Sequence, residues 1–173
     1  SLNNVGDVNK DGIEDFVICA VLADPQGRNQ AGQAYLVFGH ENTTTPWKTF
    51  FNLSTTLSLP DGVTIDGAKA NDQFGYSVSG GIDINHDGIS DFAISAPAAD
   101  PNGKTNAGTT TVIIGRMNWP NKIDTLTDIN GANGFFINGA NADDWLGWSV
   151  SGAGDVNDDG IQDLVVGARF WDK

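Results

Sequence analysis

An all-β fold of repeated four-stranded units is predicted by three features of the 173-residue chain. These are a turn-forming composition, a gap-free internal repeat, and short strand-like runs between turn residues. Glycine contributes 22 residues, about 13% against a usual 7% or so. Asn and Asp are abundant, and the apolar residues lean to Val, Ile and Phe, the composition of short strands joined by tight turns.

The repeat is legible by eye. Residues 7–39 (DVNKDGIEDFVICAVLADPQGRNQAGQAYLVFG) align without a gap on residues 83–115 (DINHDGISDFAISAPAADPNGKTNAGTTTVIIG), and DVNDDGIQD at 155–163 opens a third copy. A second block, Asp72–Gly80, recurs at Asp144–Gly152, and Ser1 matches Ser77 and Ser149. The second unit holds four strand-like runs: Phe74–Ser79, Phe92–Ala96, Thr109–Ile114 and Phe135–Asn138. Each is short, β-branched or aromatic, and bounded by Gly, Asn, Asp or Pro. Four strands in roughly 70 residues fit one blade of a β-propeller. The expected organisation is an incomplete first blade at 1–70, a complete blade at 71–142, and the first half of a third at 143–173. That makes about two and a half blades, open at both ends, with three, four and two strand runs. An exposed excursion is expected at 40–60.

Charge and composition exclude several functions. Asp plus Glu number 22 against nine Lys plus Arg, a formal charge of -13, which leaves no basic footprint for nucleic acid or an anionic membrane face. No apolar run approaches the roughly 18 residues of a membrane span. Cys19 is the only cysteine, so neither an intramolecular disulfide nor a cysteine zinc cluster is expected. The two histidines, His40 and His86, have no evident nucleophile partner, and Gly75-Tyr76-Ser77-Val78-Ser79 lacks the closing glycine of a nucleophile elbow. No enzymatic activity is expected.

The chemistry lies in three acidic loops that share D-x-N-x-D-G-I-x-D. They are Asp7, Asn9, Asp11, Ile13 and Asp15; Asp83, Asn85, Asp87, Ile89 and Asp91; and Asp155, Asn157, Asp159, Ile161 and Asp163. Side-chain oxygens at positions 1, 3 and 5 can converge when the chain curls, and glycine at 6 permits the bend. The carbonyl at 7 and the carboxylate at 9 can close the shell. Hard oxygen donors without nitrogen or sulfur select calcium, and three calcium sites are expected. An EF-hand needs a Glu at position 12, where this chain has Ile18, Ile94 and Val166; the acid at 9 ends the loop and a strand follows.

These residues resemble the FG-GAP repeat family, known from the β-propeller of integrin α subunits. Phe74-Gly75 and Leu146-Gly147 stand for its first element, and Ser95-Ala96-Pro97 and Gly167-Ala168-Arg169 for its last, with Cys19-Ala20-Val21 a degenerate version. The resemblance implies that the acidic loops lie on the lower rim and ligate metal through the residues named above. It also implies a ring of about seven blades. The remainder of that ring would come from further blades of a longer chain or from identical copies head to tail.

The upper-rim turns Ala23–Gly27 and Ala99–Gly103, with Arg28 and Lys104, are candidates for protein or glycan recognition. Trp47 and Trp119 are the freer candidates for stacking on sugar, whereas Trp148, which aligns with Tyr76, suits packing between blades. Sequons at Asn42 and Asn52 suit glycosylation of a surface loop. The resulting expectation is a calcium-stabilised, secreted or cell-surface structural or adhesive module; the alternative is a calcium-dependent, lectin-like segment.

Overall fold

The computed structural model describes residues 1–41, 53 and 57–170. The sequons at Asn42 and Asn52, Trp47, Trp171 and most of the excursion lie outside the described residues. The fold is all-β, in several sheets of which none closes, a partial open propeller. The first sheet holds β1 (Leu2–Gly6), β2 (Asp15–Ala20), β3 (Gln33–Val37) and β4 (Gly62–Asp66). The second holds β5 (Val78–Ile82), β6 (Asp91–Ala96), β7 (Thr109–Ile113) and β9 (Gly134–Asn138). The third holds β10 (Leu146–Gly154) and β11 (Asp163–Ala168). Each sheet is an antiparallel meander, and the first strands lie side by side, β1 on β5 and β5 on β10. A β-bulge ends the first strand of every sheet, between Asn4 and Gly6, Gly80 and Ile82, and Gly152 and Gly154. Each bulge falls just before an acidic loop and turns the chain out of the sheet.

Two expectations are corrected. The first unit has four strands of its own rather than three, because Leu2–Gly6 pairs along β2. It also gains a fifth strand, β8 (Lys122–Asp124), which pairs parallel to β4. The strand expected at Phe74–Ser79 begins at Val78 instead. Asn71, Gln73 and Gly75 all have positive φ (68°, 59° and 94°), as do their counterparts Asp143, Trp145 and Gly147 (61°, 54° and 88°). Such a run cannot continue a strand, and it makes the Phe-Gly segment a turn.

That turn joins one blade to the next. The Gln73 and Phe74 N–H groups donate to the carbonyls of Gln30 and Ala31, in the upper-rim turn of the first blade. One unit later, Trp145 and Leu146 donate to Asn106 and Ala107. Two backbones approach so closely here that only glycine fits. A Cβ on Gly32 (φ 83°) would lie 2.0 Å from the Phe74 carbonyl oxygen, and one on Gly108 (φ 85°) 2.2 Å from that of Leu146. Phe74 itself is 1% exposed and enters the core between the first two blades with Val17, Leu36, Ile65, Phe92, Ile94 and Ile113.

A strap from the second blade reinforces this joint. Between β7 and β9 the chain returns to the first blade. The Arg116 N–H donates to the Val8 carbonyl at 2.9 Å, and β8 adds to the edge of β4. Trp119, expected to be free for sugar, is instead 6% exposed. It sits between Phe38 and Phe92, each ring 6.1 Å away, and its Nε1–H donates to the Val8 carbonyl at 3.1 Å. Its position in a turn-rich segment concealed this, because the core it enters is shared between its own unit and the preceding one. Ion pairs fix the strap's far end. Arg28 donates to both carboxylate oxygens of Asp124 at 3.0 Å, and Lys122 Nζ lies 2.5 Å from the fully buried Asp66.

The stitch generates a paired test. Gly108→Ala combines a positive φ with a backbone clash, whereas Gly103→Ala has positive φ (75°) and open space. In urea denaturation, Gly103→Ala should cost about 1 kcal/mol, and Gly108→Ala at least about twice that.

Candidate metal centres

Each acidic loop curls around its own N–H groups. In the first, Asp7 Oδ1 and Asn9 Oδ1 both accept from the Asp11 N–H, at 3.1 and 2.9 Å. Asp7 Oδ2 accepts from Gly12 at 2.8 Å, and Asp11 Oδ1 from Ile13 at 2.9 Å. The second and third loops repeat every one of these bonds, through Asp83, Asn85 and Asp87 and through Asp155, Asn157 and Asp159. The residue at position 4 has positive φ in all three, Lys10 (63°), His86 (57°) and Asp158 (62°), and its side chain is exposed. The loops therefore tolerate any side chain at that position that accepts a left-handed backbone.

The acid at position 9 behaves differently. Asp15 is 1% exposed: Oδ2 accepts from the Val8 N–H at 3.0 Å and Oδ1 from the Gly39 N–H at 2.8 Å. Asp91 is fully buried and binds Ile84 and Gly115 in the same way, at 2.9 and 2.7 Å. One carboxylate thus ties the start of the loop to a glycine two residues past the third strand. The pairing of Asp15 with Gly39 and of Asp91 with Gly115 was not anticipated from the sequence. Its trace is there, because both glycines hold the same place in the repeat, 24 residues after the acid. In the third loop Asp163 keeps the first bond, to Val156 at 2.8 Å, and the whole loop is more exposed because its sheet has two described strands.

Burial pushes the Asp15 and Asp91 carboxyls up to about 6, against the lowering effect of their two N–H donors. The neighbouring acids, Asp11 and Asp7 in one loop and Asp87 and Asp83 in the other, push the same way. Among the described residues no three His, Cys, Asp or Glu side chains gather closely enough to hold a metal. The loop oxygens accept from the loop's own N–H groups. The donor set still fits a hard cation. It is all oxygen, it includes an Asn amide and a position-7 carbonyl beside the carboxylates, and each carboxylate oxygen has a lone pair beyond the one its N–H donor uses.

The other candidates have structural roles. Asp24 and Asp100 close their single 3₁₀ turns by accepting from Gln30 and Asn106, both at 2.7 Å. Arg28 donates to the Ala68 carbonyl, and Lys104, its counterpart, to the Ala140 carbonyl at the corresponding place one unit later. Both cations therefore cap the crossing between blades. Trp148 packs on Tyr76 at 4.7 Å and under Arg169 at 4.0 Å, joining second and third blades.

Asp72, in the turn that precedes Phe74, is 7% exposed and accepts from the Lys69 N–H at 3.2 Å. Burial raises its carboxyl from 3.8 to about 6. A raised pKa in the folded state means that the native protein holds the proton more tightly than the unfolded chain. Its contribution to stability is therefore full below pH 3.8 and is lost as pH rises to about 6. Asp72→Asn should gain stability relative to the wild type across that interval, measured by denaturation in chelator. A difference independent of pH would contradict this assignment.

The FG-GAP repeat family model matches residues 74–113 and 146–173, which begin at the two joining turns and run through the second and third acidic loops. Similar proteins include phosphatidylinositol-glycan-specific phospholipase D of Bos taurus, 28% identical over 95% of this chain and 18% of that protein. Integrin alpha-E of Mus musculus is 29% identical over 94% of this chain and 13% of its own length. Integrin alpha-IIb of Mus musculus is 28% identical over 95% and 14%. The chain thus spans less than a fifth of the relatives it matches. With the recurring turn, loop and strand geometry beside it, the family model identifies FG-GAP repeats at residues 74–113 and 146–173 of this chain.

Proposed function

We propose that this chain is a calcium-stabilised structural or adhesive module of a secreted or cell-surface protein, and that it works as part of a larger propeller. The observation that carries the reading is the threefold recurrence of one all-oxygen loop with the same internal bonds. In each loop Asp7, Asn9, Asp11, the Ile13 carbonyl and Asp15, or their counterparts, would supply the ligands. A bound calcium ion supplies the positive charge that three carboxylates at the root of one hairpin otherwise lack. The chain's own part is to present those oxygens on a rigid blade edge. The integrin relatives support the adhesive reading. The phospholipase relatives do not make this segment catalytic, because no nucleophile and base come together among the residues singled out.

Other blades, in the same chain or in identical copies, would cover the open faces. On the third sheet Val165 and Phe170 are more than half exposed, and β11 has a free edge among the described residues, the situation that propellers resolve by adding a neighbour.

Calorimetric titration tests the metal reading. The expected stoichiometry is three calcium ions per chain, with Asp87→Ala reducing it to two and leaving the fold intact by circular dichroism. Binding of one ion or none would overturn it.

A further inference from the structure

The upper rim carries a cleft between the first two blades, of about 220 Å³. Its floor is Phe74, Ala96 and Ala99, all buried, and one flank is Thr109 and Thr111 of β7 with Phe136 and Asn138 of β9. Leu126, just past β8, and the Asp100–Asn102 turn line it as well.

Comparison of the two blades explains why the space is there. Thr109, Thr111, Asn102 and Asn138 occupy the repeat positions of Gln33, Tyr35, Gln26 and Asp66. In the first blade those four side chains saturate one another. Gln26 and Gln33 donate to Asp66 at 2.9 and 2.6 Å, and the Tyr35 hydroxyl donates to Gln33. In the second blade shorter residues replace the long ones. Thr109 donates to Asn138 Oδ1 at 3.0 Å, and this leaves the Asn138 amide N–H groups and the whole Asn102 side chain without a partner among the described residues. Asp100 keeps one carboxylate oxygen beyond the one that accepts from Asn106, and Asp72 one beyond the oxygen that accepts from Lys69. The repeat has thus exchanged a self-satisfied polar cluster for an open cleft with spare donors and acceptors.

We infer that this cleft binds one neutral sugar residue of a glycan. Sugar hydroxyls both donate and accept, which matches a cleft lined by the amide N–H groups of Asn102 and Asn138 and the carboxylate oxygens of Asp72 and Asp100. The half-exposed Phe136 ring and Leu126 offer apolar surface to the C–H face of a pyranose. The volume lies below the roughly 300–1,000 Å³ of drug-sized pockets, which suits a single compact ring and not an extended peptide. Two carboxylates beside one ammonium, Lys69, on a chain of charge -13, disfavour acidic sugars. The inference does not depend on calcium in the acidic loops, which lie at the opposite ends of the strands.

Saturation-transfer NMR on the full 173-residue chain, with a panel of neutral hexoses and N-acetylhexosamines, tests it in calcium and again in chelator. The expected result is transfer from the protein to at least one sugar of the panel. Asn102→Ala, an exposed turn position, should weaken that binding by about tenfold, the loss expected for one hydrogen-bonding partner. Thr111→Tyr, which restores the first blade's residue, should abolish it while the melting temperature stays within a few degrees. Absence of transfer in calcium from any sugar of the panel would overturn the proposal. So would transfer that survives both variants, or selective binding of an acidic sugar or a peptide at this cleft. Loss of transfer in chelator alone would place the failure in the metal-dependent fold and leave the cleft assigned.

Discussion

The buried carboxylate at the root of the first and second acidic loops holds the rest of the blade in place. Asp15 and Asp91 are inaccessible to water, and each accepts two backbone N–H groups from segments 31 residues apart, Val8 with Gly39 and Ile84 with Gly115. A group in that position fixes both the exit of the first strand and the exit of the third. It is also costly, since burial and the neighbouring acids disfavour its charge. A sequence that keeps this acid, and adds two more acids and an Asn within eight residues, gathers negative charge beside a buried anion. Calcium would reconcile these features by turning the cost of the anion into an attraction.

Above the loops, the blades are joined by backbone and not by side-chain contacts alone. The Phe-Gly turn donates its N–H groups to the preceding upper-rim turn, at a spacing that admits only glycine at positions 32 and 108. Phe74 then enters the shared core. The strap through Trp119 and β8 adds a second connection between the first two blades, tied by Arg28 to Asp124 and by Lys122 to Asp66. Repeat proteins of this kind gain stability from nearest-neighbour interfaces. Here that interface combines a glycine-gated stitch, an aromatic anchor and a strap.

Much of this was legible in the residues. The 33-residue self-alignment gave the unit, and the D-x-N-x-D-G-I-x-D spacing marked the loops that prove to share one set of internal bonds. Composition and turn residues placed β6, β7 and β9 to within a residue or so at either end. What was hidden depends on contacts between units. Periodicity read Phe74–Ser79 as a strand because aromatic and β-branched residues favour one, but the positive φ values at Gln73 and Gly75 are demanded by the preceding blade. Trp119 looked free because it lies in a turn-rich segment outside any strand run, and the three-residue β8 is too short to show a pattern. The cleft emerges only when the two units are superimposed and the long polar side chains of one are seen to be short in the other.

The account rests on the acidic loops acting as cation-dependent anchors, and the melting temperature in calcium and in excess chelator tests this most directly. At a free concentration one hundred times the dissociation constant, each occupied site contributes about 2.7 kcal/mol to stability. Removal of the cation should therefore lower the melting temperature by several degrees per site. Asp87→Ala should retain about two thirds of that difference. An identical melting temperature in calcium and in chelator would contradict the account, and would make the three loops turns held by their own hydrogen bonds.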